Sequence, residues 1–307
     1  MTTRMPGQSH QGPLPPATAE EDDLAGELRR HVQKLAGEIG ERHVDRPAAL
    51  HAAAAYIEAE LRTYGYVVGE QSFAAAGVTV RNLDAELRGT RDTARLLVVG
   101  AHYDSAPGTP GANDNGTGVA ATLVLARRLA GHAQGQSIRF VFWTNEEPPF
   151  FRTDLMGSLV YARRCRARHE QITGMLSLET IGYYTDARGT QHYPSQIRGD
   201  YPDRGNFVTF VADRSSGAFL EQALAAFRRT TAFPAEGLSA PSWVDGVGWS
   251  DHWAFWQAGY PGLMVTDTAP FRYPHYHRRT DTPGEVIYDR LARVVLGLER
   301  TVRELAR

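Results

Sequence analysis

Short, nearly continuous apolar runs alternate along this chain with segments of helical period, and this alternation constrains the fold more than any other feature. The runs are LLVVGAHY, SIRFVFWT, GMLSLETIG, FVTFVA and GLMVTD. A strand apolar on both faces has to be covered on both faces. Helical patterns over Val119 to Leu129, Met156 to Ala167, Gly217 to Arg229 and Glu285 to Leu305 supply that cover. Strands alternating with helices predict an α/β fold, a doubly wound and mostly parallel sheet with helices on both faces. In such sheets chemistry collects at the carboxyl ends of the strands, so functional residues are expected just after the apolar runs.

The N-terminal third reads differently. A helix is predicted from Asp23, with Leu24, Leu28, Val32, Leu35 and Ile39 on one stripe, and a second from Pro47 to Tyr64, ending at Gly65. YVVGEQSF and VTVRNLDAEL then suggest a hairpin. The first twenty residues are polar and rich in Pro and Gly, so residues 1–22 are expected as a flexible tail and 23–307 as a single domain. The stretch between Gly182 and Ser250 is too short for a separate lid domain and is expected to form a small cover.

Charge and composition exclude several classes. With 33 basic and 35 acidic residues the formal net charge is −2, which gives no electrostatic case for nucleic acid or an acidic membrane as partner. No stretch approaches the roughly 18 apolar residues of a membrane helix, and no apolar signal-peptide core is evident, so the expected location is cytoplasmic. A lone cysteine, Cys165, precludes an internal disulfide. The sequence leaves the oligomeric state open.

Acids and histidines do follow the apolar runs. GAHYDS ends the first run and places His102 and Asp104 two apart, on one side of extended backbone. A neutral imidazole is a good metal ligand, and a carboxylate such as Asp104 can fix its tautomer or shape the site nearby. GANDNGTG puts Asp114 in a glycine-rich loop before a helix, where one carboxylate can bridge two cations; Asn115 reads as a helix cap. The glycine spacing fits neither a dinucleotide fingerprint nor a P-loop. TNEEPPFF places Glu146 and Glu147 directly after a buried strand. Two such acids raise each other's pKa unless cations compensate, and a division of labour fits, with Glu147 on a metal and Glu146 taking a proton from metal-activated water. Glu179 lies in an otherwise apolar strand, where an acid is costly unless paired or metal-bound. In YPHYHRRTDTP both His275 and His277 can ligate. Asp251 and His252, between aromatics, suggest a buried hydrogen-bonded pair. Mixed nitrogen and oxygen donors suit zinc better than magnesium or calcium.

Taken together, GAHYDS, GANDNGTG, NEE and SDHWAF with AGYP resemble the zinc exopeptidase family of bacterial leucyl aminopeptidases and aminopeptidase Y, whose fold is shared with glutamate carboxypeptidases and glutaminyl cyclases. The resemblance covers about Gly100 to Pro283. It implies two zinc ions, with Asp114 bridging, His102 and Glu179 on one, and Glu147 and His277 on the other; Tyr276 before it and Asp281-Thr282 after it favour His277 over His275. It implies Glu146 as the general base, Asp251 as a supporting residue, and a tyrosine donor to the oxyanion from among Tyr183, Tyr184, Tyr273 and Tyr276. Phe150, Phe151, Trp243, Trp249 and Phe271 are candidates to line an apolar specificity pocket. The activity implied is that of a metallo-aminopeptidase acting on peptide substrates. Two departures stand out. Glu179 occupies a position where the family more often has Asp, and PPFFRTDLM intervenes before Gly157-Ser158, an insertion also found in glutaminyl cyclases, which use one zinc. A one-zinc glutaminyl-peptide cyclotransferase is therefore the alternative enzyme reading, and a non-catalytic binding protein of the same fold the third.

Overall fold

The computed structural model describes residues 5–197 and 201–307; the first four residues of the expected tail lie outside the described residues. The first helix, α1 (Ala19–Val32), starts earlier than Asp23 because Thr18 and Glu21 form a capping box: the Glu21 amide donates to Thr18 Oγ1 and the Thr18 amide to Glu21. Glu20, Glu21 and Asp22 thereby occupy its first turn, where the helix dipole favours acids. A wider helical turn (Gln33–Ile39) extends α1 to Gly40, and α2 (Pro47–Thr63) follows. Residues before Thr18 lie against the body. Met5 packs on the core, and Ser9 Oγ accepts from the Ala235 amide.

The strands are β1 (Val68–Ala75), β2 (Val78–Leu87), β3 (Asp92–His102), β4 (Gln136–Trp143), β5 (Gln171–Glu179), β6 (Val208–Ala212), β7 (Ala235–Ser239) and β8 (Gly262–Thr266). Between and after them lie α3 (Gly118–Leu129), α4 (Gly157–Ala167), α5 (Gly217–Thr230), α6 (His252–Gln257) and α7 (Tyr288–Leu305). They form one sheet in the order β1-β2-β4-β3-β5-β8-β6-β7. The centre, β4-β3-β5-β8, is parallel, while β1, β2 and the β6–β8 pairing are antiparallel. The doubly wound α/β architecture is present, with antiparallel flanks on a parallel core. Sequence reading did not anticipate β7 or α6. AEGLS lacks the apolar, β-branched signature of a strand, and α6 is under two turns long.

Side-chain alternation in β3 divides the core. Leu97, Val99 and Ala101 join the larger cluster with α1, α2, α3, α5 and α7, whereas Leu96 and Val98 join Val141, Trp143, Tyr161 and Phe255 on the opposite face, under α4 and α6. Trp143 is fully buried and meets Tyr161 and Phe255 edge-on. Full burial of each large side chain there contributes about 1.5–3 kcal/mol. The chain runs from β3 to β4 on one side and on to β5 on the other, so the strand order reverses beside β3. That switch point opens a crevice at the carboxyl ends of β3, β4 and β5. Among the described residues no helix is long and apolar enough to cross a membrane.

Candidate metal centre

His102 is the last residue of β3, and Glu146 and Glu147 follow β4 after Thr144 and Asn145. Glu179 ends β5, Asp114 sits in the irregular turn before α3, and His277 follows β8 after a short loop. The fold therefore gathers residues distant in sequence, and their atoms form two groups that share Asp114. His102 Nε2 lies 3.4 Å from Asp114 Oδ1 and 3.2 Å from Glu179 Oε2. His277 Nε2 lies 3.0 Å from Asp114 Oδ2 and 3.1 Å from Glu147 Oε2. Donor atoms about 2 Å from a tetrahedral ion lie about 3.3 Å from one another, so both spacings match a shared cation. His102 Nε2 and Glu147 Oε1 are buried without a hydrogen-bond partner among the described residues, as expected of atoms aimed at a metal. His102, Asp114 and Glu147 by themselves also present donor atoms within 4.8 Å of one another. Glu146 Oε2 stands 3.8 Å from His102 Nε2.

His275 turns away, with its ring nitrogens on Thr280 Oγ1 and Glu285 Oε2. Asp104 does more than face His102. Its carboxylate accepts from the amides of Glu146 and Glu147, at 3.2 and 3.1 Å, while its backbone carbonyl meets His102 Nδ1 at 3.2 Å. Asn115 caps α3 by accepting from the Gly118 amide, and its Nδ2 reaches Glu179 Oε2. The expected Asp251–His252 pair does not form. His252 Nε2 donates to the Val247 carbonyl, and the Asp251 carboxylate has no hydrogen-bond partner among the described residues. Four further residues have contacts that the sequence did not assign to them. Ser250 donates to Glu179 Oε2 at 2.7 Å. Asp281 accepts from the amides of Asn113 and Asp114, and Asp267 from the Asn113 side chain. Buried Arg42 donates to the carbonyls of Tyr103, Pro110 and Gly111. Asp267 ends the run GLMVTD, so the strand-end rule applied there would have found it; Arg42 carries no local signal.

The electrostatics are those of an acid nest. Burial pushes Glu147 up to about 8, with Asp114 adding to the effect, and burial raises Glu146 well above the ordinary carboxylate range against the pull of His102. Burial opposes the charged form of Asp114 as well, but His102 and His277 outweigh it and hold the group low. Burial likewise opposes charge on His277, but Asp114 and Glu147 raise it to about 10. The carboxylates thus recruit protons onto the imidazoles, and a divalent ion would replace those protons. Arg42, pushed down to about 10 by burial, remains cationic and offsets part of the negative charge.

Of the aromatic candidates, Trp249 and Phe271 stack on each other, at 6.2 Å between centroids, on the wall of a cavity next to the site. Phe150 packs on the main core, Phe151 on a small cluster with Trp253, and Trp243 is exposed. The segment expected as a cover contributes β6 and β7 to the sheet and α5 beside them, and its loops wall the cavity.

A mixed sheet that gathers two imidazole–carboxylate triads at its switch point defines the class, an α/β metalloprotein. More particularly, the chain belongs to peptidase family M28, which matches residues 82–301. The uncharacterized protein YfbL of Escherichia coli (strain K12) is 35% identical over 281 residues, covering 89% of this chain and 85% of that protein. The structure of BSAP, a zinc aminopeptidase from Bacillus subtilis, superimposes with a TM-score of 0.73 at 16% identity, over 92% of this chain and 95% of that one. Tannerella forsythia glutaminyl cyclase superimposes with a TM-score of 0.66 at 20% identity, over 92% of this chain and 97% of that one. These two likenesses show a shared fold. The chain spans less than two thirds of the length of fungal relatives described as probable zinc metalloproteases.

Proposed function

We propose that this chain is a zinc-dependent aminopeptidase that removes the N-terminal residue from peptides. The observation that carries the reading is the pair of triads sharing Asp114, each with donor spacings of 3.0–3.4 Å. One zinc would be held by His102, Asp114 and Glu179, the other by His277, Asp114 and Glu147. Zinc held there would supply Lewis acidity, polarising the scissile carbonyl and acidifying water. Relatives described as zinc metalloproteases and a neighbour that is a zinc aminopeptidase support both metal and reaction class.

The chain's own groups do the proton work. Glu146, beside His102 and with its proton affinity raised by burial, takes a proton from the attacking water and passes it to the leaving amine. Asp104 holds the Glu146 and Glu147 amides, so base and ligand keep a fixed relation. Among the tyrosines, Tyr184 and Tyr273 commit their hydroxyls to the Ile181 carbonyl and to Asp281. Tyr276 stacks on His277, at 3.9 Å between centroids, and burial with four nearby carboxylates keeps its phenol protonated. Tyr276 is the donor to the developing oxyanion. A cytoplasmic location belongs to the proposal; the single cysteine, free and buried, is compatible with a reducing compartment.

The test pairs metal analysis with turnover. Wild-type protein is expected to hold two zinc ions per chain and to cleave aminoacyl amides. Glu146→Gln is expected to retain both ions and lose about 10²–10⁴ in kcat. One zinc per chain with pyroglutamate formed from glutaminyl peptides would replace the peptidase reading with cyclotransfer, and full activity in Glu146→Gln would remove that residue as the base.

A further inference from the structure

The segment PPFFRTDLM, which separates Glu147 from α4, brings a cation to the edge of the metal centre. Its turns start from the ligand itself: the Phe150 amide donates to the Glu147 carbonyl at 3.0 Å, and the Thr153 amide to the Phe150 carbonyl at 2.9 Å. Between them Arg152 takes left-handed backbone, at φ 58°, which is disfavoured for a residue with a Cβ. Backbone held in this way clusters at binding sites. The guanidinium is seated as well. Its Nη2 donates to the Gly248 carbonyl at 2.9 Å, and its carbon lies 5.2 and 5.3 Å from the ring centroids of Phe151 and Trp253. A Cβ at position 248 would come within 2.9 Å of Nη2, so glycine there leaves the guanidinium its seat.

Nothing acidic pairs with this cation. Arg152 is exposed, its one side-chain hydrogen bond goes to Gly248, and no carboxylate lies within ion-pair distance among the described residues. Part burial lowers its pKa, and the charge of Glu146 opposes that effect. Arg42 and Arg272, by contrast, are buried and committed to carbonyls and to Gln191. Glu146 passes its proton to the leaving amine, so the residue being released lies beside Glu146, within reach of the charge on Arg152. In a dipeptide that residue ends in a carboxylate, whose carbon is about 2.5 Å from the amine nitrogen. In a longer peptide an uncharged peptide group takes that place, and each added residue moves the carboxylate about 3.5 Å further off. The acid nest repels a free carboxylate, and a cation beside Glu146 offsets that repulsion.

We infer that Arg152 is a specificity-determining residue that binds the C-terminal carboxylate of dipeptide substrates. The inference rests on the aminopeptidase reading above and narrows its substrates to peptides whose leaving group is a free amino acid. With Nη2 on Gly248, Nη1 and Nε remain to meet the carboxylate as charge-assisted donors.

The experiment measures kcat/KM of zinc-loaded wild type, Arg152→Gln, Arg152→Lys and Arg278→Gln on leucylalanine, leucylalaninamide and leucylalanylalanine. Ratios are taken within each variant, so a general loss of activity or of folded protein cancels. Charge-assisted hydrogen bonds predict that wild type favours the dipeptide over its amide by about 10–100-fold. The difference is expected chiefly in KM, because the carboxylate is not among the reacting atoms. The tripeptide is expected to behave like the amide. The ratio is expected to fall to about onefold in Arg152→Gln, to survive in part in Arg152→Lys, which keeps the charge without the fork, and to persist in Arg278→Gln, which removes an exposed charge beside His277. Equal dipeptide and amide values in wild type, a ratio that Arg152→Gln leaves in place, or a ratio lost equally in Arg278→Gln overturns the inference while the aminopeptidase reading stands. If wild type cleaves none of the three, calorimetry with leucylalanine and its amide decides. Tighter binding of the dipeptide, lost in Arg152→Gln, would uphold the carboxylate site and sink the aminopeptidase reading; equal binding would overturn the inference.

Discussion

Glutamate reaches one methylene further than aspartate, and at position 179 that extra length is held in place. Ser250 Oγ donates to Oε2 at 2.7 Å, Asn115 Nδ2 approaches the same oxygen at 3.3 Å, and Ser177 Oγ meets Ser250 Oγ at 2.9 Å. The carboxylate so oriented comes to 3.2 Å from His102 Nε2. Partners that orient a ligand typically account for 10–100-fold in metal affinity. Ser250→Ala is therefore expected to weaken one zinc by about 10–100-fold and leave the His277 half intact. Titration against a competing chelator would show this as a two-step release with only the weaker step moved. If both steps stay where they are in wild type, Ser250 does not orient a metal ligand.

The loop from Tyr103 to Thr117 carries Asp114 and is fixed from outside itself. Arg42, from the segment between α1 and α2, donates to three of its carbonyls, at 2.5–2.8 Å, while its backbone pairs both ways with Ser105. Asp281 takes the amides of Asn113 and Asp114 from the other side. A guanidinium fork can satisfy several carbonyls at once; an ammonium of equal charge cannot. Arg42→Lys is expected to cost about 2–4 kcal/mol through buried carbonyls left unmet. Denaturant unfolding of chelator-treated protein would measure it free of metal effects, and a change below about 0.5 kcal/mol would show that the loop holds its shape without the clamp. This element also marks where sequence reading stops. Asp114 was legible because it follows a strand in a glycine-rich turn. Arg42 was not, because nothing around ERHVD distinguishes a buried clamp from a solvated arginine, and its partners are carbonyls that leave no trace in residue type.

At the scale of the molecule, the parallel centre of the sheet and the strand-end acids Glu146, Glu147 and Glu179 were legible, since apolar runs covered on both faces have few alternatives. The β1–β2 hairpin was legible too, but the antiparallel pairings of β2 on β4 and of β6 on β8, and β7 itself, were not. Register between strands distant in sequence is set by the packed sheet, and AEGLS carries no pattern of its own. The residue types alone left His275 and His277 open; the family resemblance favoured His277, and the loop's path aims that ring at Asp114. The same long-range assembly makes the metal centre a fastening between β3, β4, β5 and the loop after β8, which meet only in the folded state. Ions that bind the folded chain alone add RT ln(1 + [L]/Kd) to its stability, about 4 kcal/mol per site at a thousandfold excess over Kd. For a chain of this length one kcal/mol corresponds to about 2 °C, so stripping even one ion is expected to lower the melting temperature by about 8 °C. Differential scanning calorimetry with chelator and then with excess zinc would follow the loss and its recovery. Glu146→Gln should show the same shift as wild type, because it removes a base and leaves all five ligands. A melting temperature indifferent to both chelator and zinc would mean that the two triads are held together by their own protons and not by metal.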